Sequence, residues 1–193
     1  SYYTSNVKKY MLRLFLFAII SEIPFNLIMG SSVFYPFHQN VLWTFLLGVL
    51  SIQIIEKAKK KQKKWISFFV VCLVLLMDFL LGTITMVDYN AAGILTVLLF
   101  YFFRKKTWIS FVAQLVGLYY LNVVMLGNLY YPVTILGHHF EIAQQSFALL
   151  ALIPIWLYHG EQGYHSKWFK YFCYAFYPVH FLILFVIWQW RIR

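Results

Sequence analysis

The stretch WISFFVVCLVLLMDFLLGTITMV, residues 65–87, decides what kind of protein this is. It carries a single charge, Asp78. At about 1.5 Å of rise per residue, a helix of this length spans about 35 Å, enough to cross the ~30 Å hydrocarbon core of a bilayer. Similar stretches lie on both sides, at 10–30, 41–56, 89–103, 107–126, 134–158 and 168–190. Over the 193 residues, 62% are hydrophobic and 11% charged, too few charges to coat a water-soluble domain. The expected architecture is all-α: a polytopic transmembrane bundle of about seven helices, one domain over 1–193, with connectors too short to hold a soluble domain.

Basic residues set the expected orientation. Lys8, Lys9 and Arg13 open the first stretch, and Lys57, Lys59, Lys60, Lys61, Lys63 and Lys64 follow the second. Arg104, Lys105 and Lys106 follow the fourth, and Lys167 and Lys170 precede the seventh. If all seven stretches cross, these connectors share one side and hold every lysine and arginine except Arg191 and Arg193. The positive-inside rule then puts residue 1 in the cytoplasm and the C-terminus outside the cell membrane. The net charge of +10 is therefore a topology signal, and nucleic acid is not an expected partner. Tryptophans and tyrosines at the stretch ends suit interfacial anchoring. Cys72 and Cys173 fall inside apolar stretches and read as small buried hydrophobes, with no disulfide or metal framework.

Ionisable groups inside a membrane are expensive and mark function. Glu22 lies near the middle of the first stretch, in Ser21-Glu22-Ile23-Pro24. Asp78 lies at similar depth in the third, and His180 in the seventh, two residues after Pro178. A proline frees a carbonyl and can kink a helix, so these surroundings suit a site. A second polar group lies toward the expected outer face: His38, Gln39 and Asn40, then Asp88-Tyr89-Asn90, then His138, His139 and Glu141, with Gln144 and Gln145 a turn deeper. Each also has a plainer reading. Asn40 and Asp88 suit helix N-caps, Asp78 can pair structurally with a neighbouring helix, and a lone interfacial histidine is often only solvated. His138-His139 is no metal signature, because neighbours on a helix point about 100° apart. Nucleotide-binding, hydrolase and metalloprotease motifs are absent. So are inverted repeats and an arginine ladder.

Several segments together carry a family likeness: KKYMLRLFLFAIISEIPFNL (8–27), HQNVLWTFLLGVL (38–50), DYNAAGILTVLLFYFFR (88–104), QSFALLALIPIWLYHGEQG (145–163) and KYFCYAFYPVHFLILFVI (170–187). In this order, with SEIPF, HQNV and FYPVH the most specific, the chain resembles the TraX family, membrane acetyltransferases named for the enzyme that N-acetylates conjugative pilin. The resemblance implies an integral-membrane acyltransferase using acetyl-CoA as co-substrate. It also implies about two helices ahead of residue 1, the first bearing an Asp-His pair, so that the chain is expected to be N-terminally truncated. The chain departs from the family pattern at Asn26, where an acid is expected after SEIPF, and at Asn90, where glycine is expected after Asp-Tyr. It departs again at His159, where asparagine is expected, and at Tyr3, where some members carry histidine.

The expected reaction moves an acetyl group from cytosolic acetyl-CoA to an amine or hydroxyl at the outer face: a peptide N-terminus, a glycan or a lipid. Such chemistry needs a base for the acceptor and donors for the oxyanion. His38 is the first candidate for base and His180 the second, with Glu22 and Asp88 to fix tautomers or bind an ammonium group. Asn40 and Gln39, with Asp78, His138, His139 and Glu141, are candidate substrate contacts. Lys8, Lys9, Arg104, Lys105 and Lys106 are candidates for the CoA phosphates; no metal is expected. The alternative is a non-enzymatic membrane protein, such as a small transporter or an interaction or immunity subunit, whose polar layer forms a path or holds helices together.

Overall fold

The computed structural model describes residues 6–127, 129–135, 138–160, 163 and 166–192, apart from the side chains of 135, 167, 170 and 192. Tyr3, Arg193 and the side chains of Lys167 and Lys170 lie outside the described residues. The fold is mainly helical. In chain order the helices are α1 (Val7–Gly30), α2 (Val41–Lys61), α3 (Lys64–Ile84), α4 (Asn90–Phe102), α5 (Trp108–Tyr119), α6 (Leu152–Leu157) and α7 (Lys167–Ile192). A π-helical turn, Tyr120–Met125, extends α5.

Five of these segments are long and apolar enough to cross a bilayer: α1, α2, α3, Trp108–Met125 and Tyr171–Arg191 within α7. The chain is a multi-pass membrane protein. Its outside is correspondingly apolar, with Phe68, Phe69, Leu76 and Ile183 all exposed, as lipid-facing positions require. The fourth stretch falls short: α4 has 13 residues, about 20 Å.

The sixth stretch, 134–158, is not the single helix expected. Strands β1 (Tyr130–Ile135) and β2 (His138–Ala143) pair as an antiparallel hairpin, followed by a 3-10 segment, Gln144–Ala151, and the short α6. The local cause is composition. Tyr130-Tyr131-Pro132-Val133-Thr134-Ile135 is aromatic and β-branched, and Pro132 removes an amide donor that a helix needs. The expected orientation requires seven crossings, and among the described residues five helices meet the length. The cysteines also differ from expectation: both are exposed.

The chain groups into two compact units, Ser1–Ile94 with Gln162–Arg193, and Leu95–Glu161. In the first, α1 packs on α2 and α7, and α2 on α3. Ala18, Phe25, Ile55, Ala91 and Ile94 form its buried apolar centre, and Ser21, Asn40 and Thr44 are buried among them. α1 remains one helix through Pro24, and α7 through Pro178. In the second unit, the buried Gln114 of α5 donates to the Phe103 carbonyl (2.7 Å) and accepts from Trp156 Nε1 (2.8 Å). That amide ties the α4–α5 connector to α6.

The turn from α3 to α4 is tight. Met86, Tyr89 and Asn90 all have positive φ, at 50°, 61° and 47°. Glycine and asparagine tolerate this left-handed region best, so Asn90 can stand where glycine is expected. Gly93 completes the close approach: a Cβ there would lie 2.8 Å from the Thr44 methyl and 2.9 Å from the Asp88 carbonyl oxygen. Asn90→Gly should leave thermal stability in detergent nearly unchanged, whereas Asn90→Val should lower it by about 1–2 kcal/mol, the strain of a β-branched residue held left-handed. Equal melting of the two variants would remove backbone conformation as the constraint at this position.

Candidate functional site

The loop before α2 and the turn after α3 are joined through their backbones. Gln39 N–H donates to the Met86 carbonyl (2.9 Å), and Asp88 N–H donates to the Gln39 carbonyl (2.9 Å). This one-residue parallel bridge, Gln39 to Val87, is the frame of the site. It sets His38 opposite Asp88, with His38 Nε2 3.1 Å from Asp88 Oδ1. Thr44 of α2 donates its hydroxyl to the Asp88 carbonyl (2.8 Å) and secures the turn from the other side. The two side chains stay partly open, 41% exposed for His38 and 24% for Asp88. The Phe25 ring backs the imidazole at 5.5 Å. Tyr89, in the same turn, has its phenol pushed above the ordinary range, first by burial and then by the Asp88 charge.

Beside this pair lies a second, drier cluster. Asn40 is fully buried. Its side-chain oxygen caps α2 by accepting from Leu42 N–H (3.1 Å), and its amide nitrogen donates to the Ala18 carbonyl (2.9 Å) and to Glu22 Oε2. Trp43 Nε1 also donates to Glu22 Oε2 (2.9 Å). The other oxygen, Glu22 Oε1, is buried without a hydrogen-bond partner among the described residues. A buried polar atom left open in this way calls for a ligand or a role. Asn40 is thus both the expected cap and the holder of the intramembrane carboxylate.

Sequence reasoning overlooked Tyr177. It precedes Pro178 in FYPVH, the motif that also holds His180. The Tyr177 hydroxyl lies near the start of α2, with Val41, Asp88 and Glu22 in its electrostatic surroundings. The signal was available: an aromatic hydroxyl beside a proline break in a transmembrane helix. His180 itself turns back on its own helix, with Nδ1 2.9 Å from the Phe176 carbonyl and its ring stacked on Phe176. Its neighbour Phe181 meets Phe25 at 5.4 Å.

The other predicted residues stand elsewhere. Asp78 accepts from Ser51 (2.7 Å) inside the α2–α3 contact, so the depth layer proposed for Glu22, Asp78 and His180 separates into three settings, each with its own partners. Gln39 serves through its backbone, and its side chain donates to the Pro36 carbonyl (3.1 Å). His138, His139 and Glu141 lie on β2 in the second unit, where adjacent side chains alternate faces. His139 there meets Thr134 at 2.9 Å. Asn26 donates to the Val33 carbonyl (3.2 Å), which closes the end of α1 in place of the expected acid. Lys8 and Lys9 are exposed. Lys106 donates to the Trp156 carbonyl (2.9 Å) and to that of Tyr158, and Arg104 lies over the Tyr101 ring.

Arg13 is no connector residue. It sits inside α1 and, with Tyr10, Phe17, Leu42, Cys173 and Tyr177, borders a cavity of about 180 Å³ between α1, α7 and the start of α2. Among the described residues no cluster of histidine, cysteine or carboxylate side chains could hold a metal ion.

Replacing Asn40 by alanine should destabilise the protein by about 2 kcal/mol or more, because the α2 cap is lost and the Ala18 carbonyl and Glu22 Oε2 each lose a donor. Thermal unfolding in detergent measures it. A change within about 0.5 kcal/mol, the size typical of surface positions, would mean that the amide does not hold α1, α2 and Glu22 together.

A family model described as TraX protein matches residues 1–188, and the chain belongs to that family. No curated protein and no solved structure matches it.

Proposed function

We propose that this TraX-family membrane protein is an acetyltransferase that takes its acetyl group from acetyl-CoA and delivers it to an amine or hydroxyl presented at the outer face. The observation that carries the reading is the contact of His38 Nε2 with Asp88 Oδ1 at 3.1 Å. With Nε2–H donated to the carboxylate, Nδ1 keeps its lone pair and can take a proton from the acceptor. Asp88 fixes that tautomer and offsets the positive charge that the ring then gains.

Acetyl-CoA supplies the acyl group as a thioester, and cleavage of the carbon–sulfur bond releases the CoA thiol. His38 returns the acceptor's proton to the departing sulfur, so one group serves as base and then as acid. The Tyr177 hydroxyl is a candidate donor for the charge that develops on the carbonyl oxygen. Glu22, anchored by Asn40 and Trp43, keeps one oxygen for an acceptor ammonium group. His180 supports the ring stack behind Phe25 and positions rather than reacts. Lys8 and Lys9 offer cations to the CoA phosphates at the start of α1. Lys106 is already engaged by two carbonyls, which favours the α1 end over the α4–α5 connector for this role.

The test is acetyl transfer from labelled acetyl-CoA by protein reconstituted in liposomes with a mixture of peptide, glycan and lipid acceptors. His38→Ala should lower transfer by about 10²–10⁴-fold, the usual contribution of a general base. Asp88→Asn should also lower it, with the fold retained. Transfer by His38→Ala at the wild-type rate would take the base role away from His38. A wild-type protein that neither binds CoA nor consumes the thioester would sink the enzyme reading and favour transport or interaction.

A further inference from the structure

Arg13 is an anomaly in a transmembrane helix. Its position is about 9 Å along α1 from Val7, where an arginine must find partners or reach water. Its Nε is shielded from solvent and makes no hydrogen bond among the described residues. The guanidinium instead lies over the Tyr174 ring, 5.9 Å from the centroid. That contact satisfies the charge in part but gives the N–H no acceptor. A buried, unpaired donor on a charged group is costly, and here it borders a cavity.

The cavity has a direction. Along α1 it runs from Tyr10 to Phe17, about 10 Å. One end lies next to the exposed Lys8 and Lys9. The other ends at Leu42, in the first turn of α2, and at Tyr177. At about 180 Å³ it is smaller than the roughly 300–1,000 Å³ usual for a drug-sized ligand, so it suits a slender chain and excludes a nucleotide. Its walls are mainly apolar and aromatic. The Tyr174 carbonyl adds an acceptor without its helical donor, because residue 178 is proline.

We propose that this cavity between α1 and α7 seats the pantetheine arm of the acyl donor, with Arg13 Nε donating to an acceptor oxygen of the arm and the thioester end at Tyr177. The proposal rests on the acetyltransferase reading and adds where the donor enters. The nucleotide and its phosphates stay outside, at Lys8 and Lys9. The arm alone crosses the apolar walls, and its amides meet Arg13 and the Tyr174 carbonyl.

Cys173 borders the cavity and serves as a reporter. In full-length protein carrying Cys72→Ser, reconstituted in phosphatidylcholine vesicles, the rate of Cys173 modification by N-ethylmaleimide is followed by mass spectrometry. S-ethyl-CoA, a thioether with no acyl group to transfer, should slow the modification about tenfold or more. S-ethyl-pantetheine should do so at higher concentration, and adenosine 3′,5′-bisphosphate should not. Arg13→Gln should raise the S-ethyl-CoA concentration for half-protection about tenfold, the loss of one charge-assisted hydrogen bond. Unprotected Cys173 in protein that still transfers acetyl groups would overturn the cavity assignment and leave the acetyltransferase reading standing. Protection by phosphatidate vesicles but not by S-ethyl-CoA would assign the cavity to lipid and overturn the proposal. Loss of both protection and transfer would overturn it together with the reading beneath it.

Discussion

A single buried amide, that of Asn40, is the constraint on which the site depends. Within a bilayer no water is available to satisfy a loose polar group, so each must be matched by protein. Asn40 meets this demand three times over, toward the first turn of α2, the Ala18 carbonyl and Glu22. The start of α2, the middle of α1 and an intramembrane carboxylate are thereby fixed to one another. The His38–Asp88 pair is two residues away and inherits that order through the Gln39 backbone. The partly exposed His38–Asp88 pair thus rests on the fully buried Asn40, the arrangement a site needs to hold geometry while staying accessible.

The charges divide into those that serve the membrane and those that serve the interior. The lysines after α2 lie in and beyond its last turn, where cations suit both the helix dipole and an anionic lipid surface. Arg13 belongs to the second class although its sequence neighbours belong to the first. Glu22, Asp78 and Asp88 show how one residue type takes separate settings: held by an amide and an indole, by a serine hydroxyl, and by an imidazole. Asp88 is the one of the three that faces an imidazole.

The helical plan was legible because length and hydropathy suffice for it. Residues 65–87 read as a span, and α3 runs from Lys64 to Ile84. The sixth stretch failed because apolar content cannot separate a helix from a hairpin with a short tail; Pro132 and its β-branched neighbours were the overlooked cue. Candidate residues His38, Asn40, Glu22 and Asp88 could be read singly, from their rarity in apolar surroundings. Their pairing could not, since residues 38 and 88 meet through a backbone bridge that leaves no side-chain pattern. Tyr177 was missed for a related reason: in a chain with 15 tyrosines, composition makes no single one conspicuous.

The bridge between Gln39 and Val87 also bears on how the protein responds to its lipid. Helices adjust to bilayers of different thickness by tilting, at a small free-energy cost per ångström. A site built from the middles of α2 and α3 would open or close with every such adjustment. Here histidine and aspartate sit on the linked ends of those helices, fastened by two amide–carbonyl bonds and a threonine hydroxyl. The helix bodies can lean while their joined ends move as one piece, so the spacing of the pair is insulated from the thickness of the membrane that holds it.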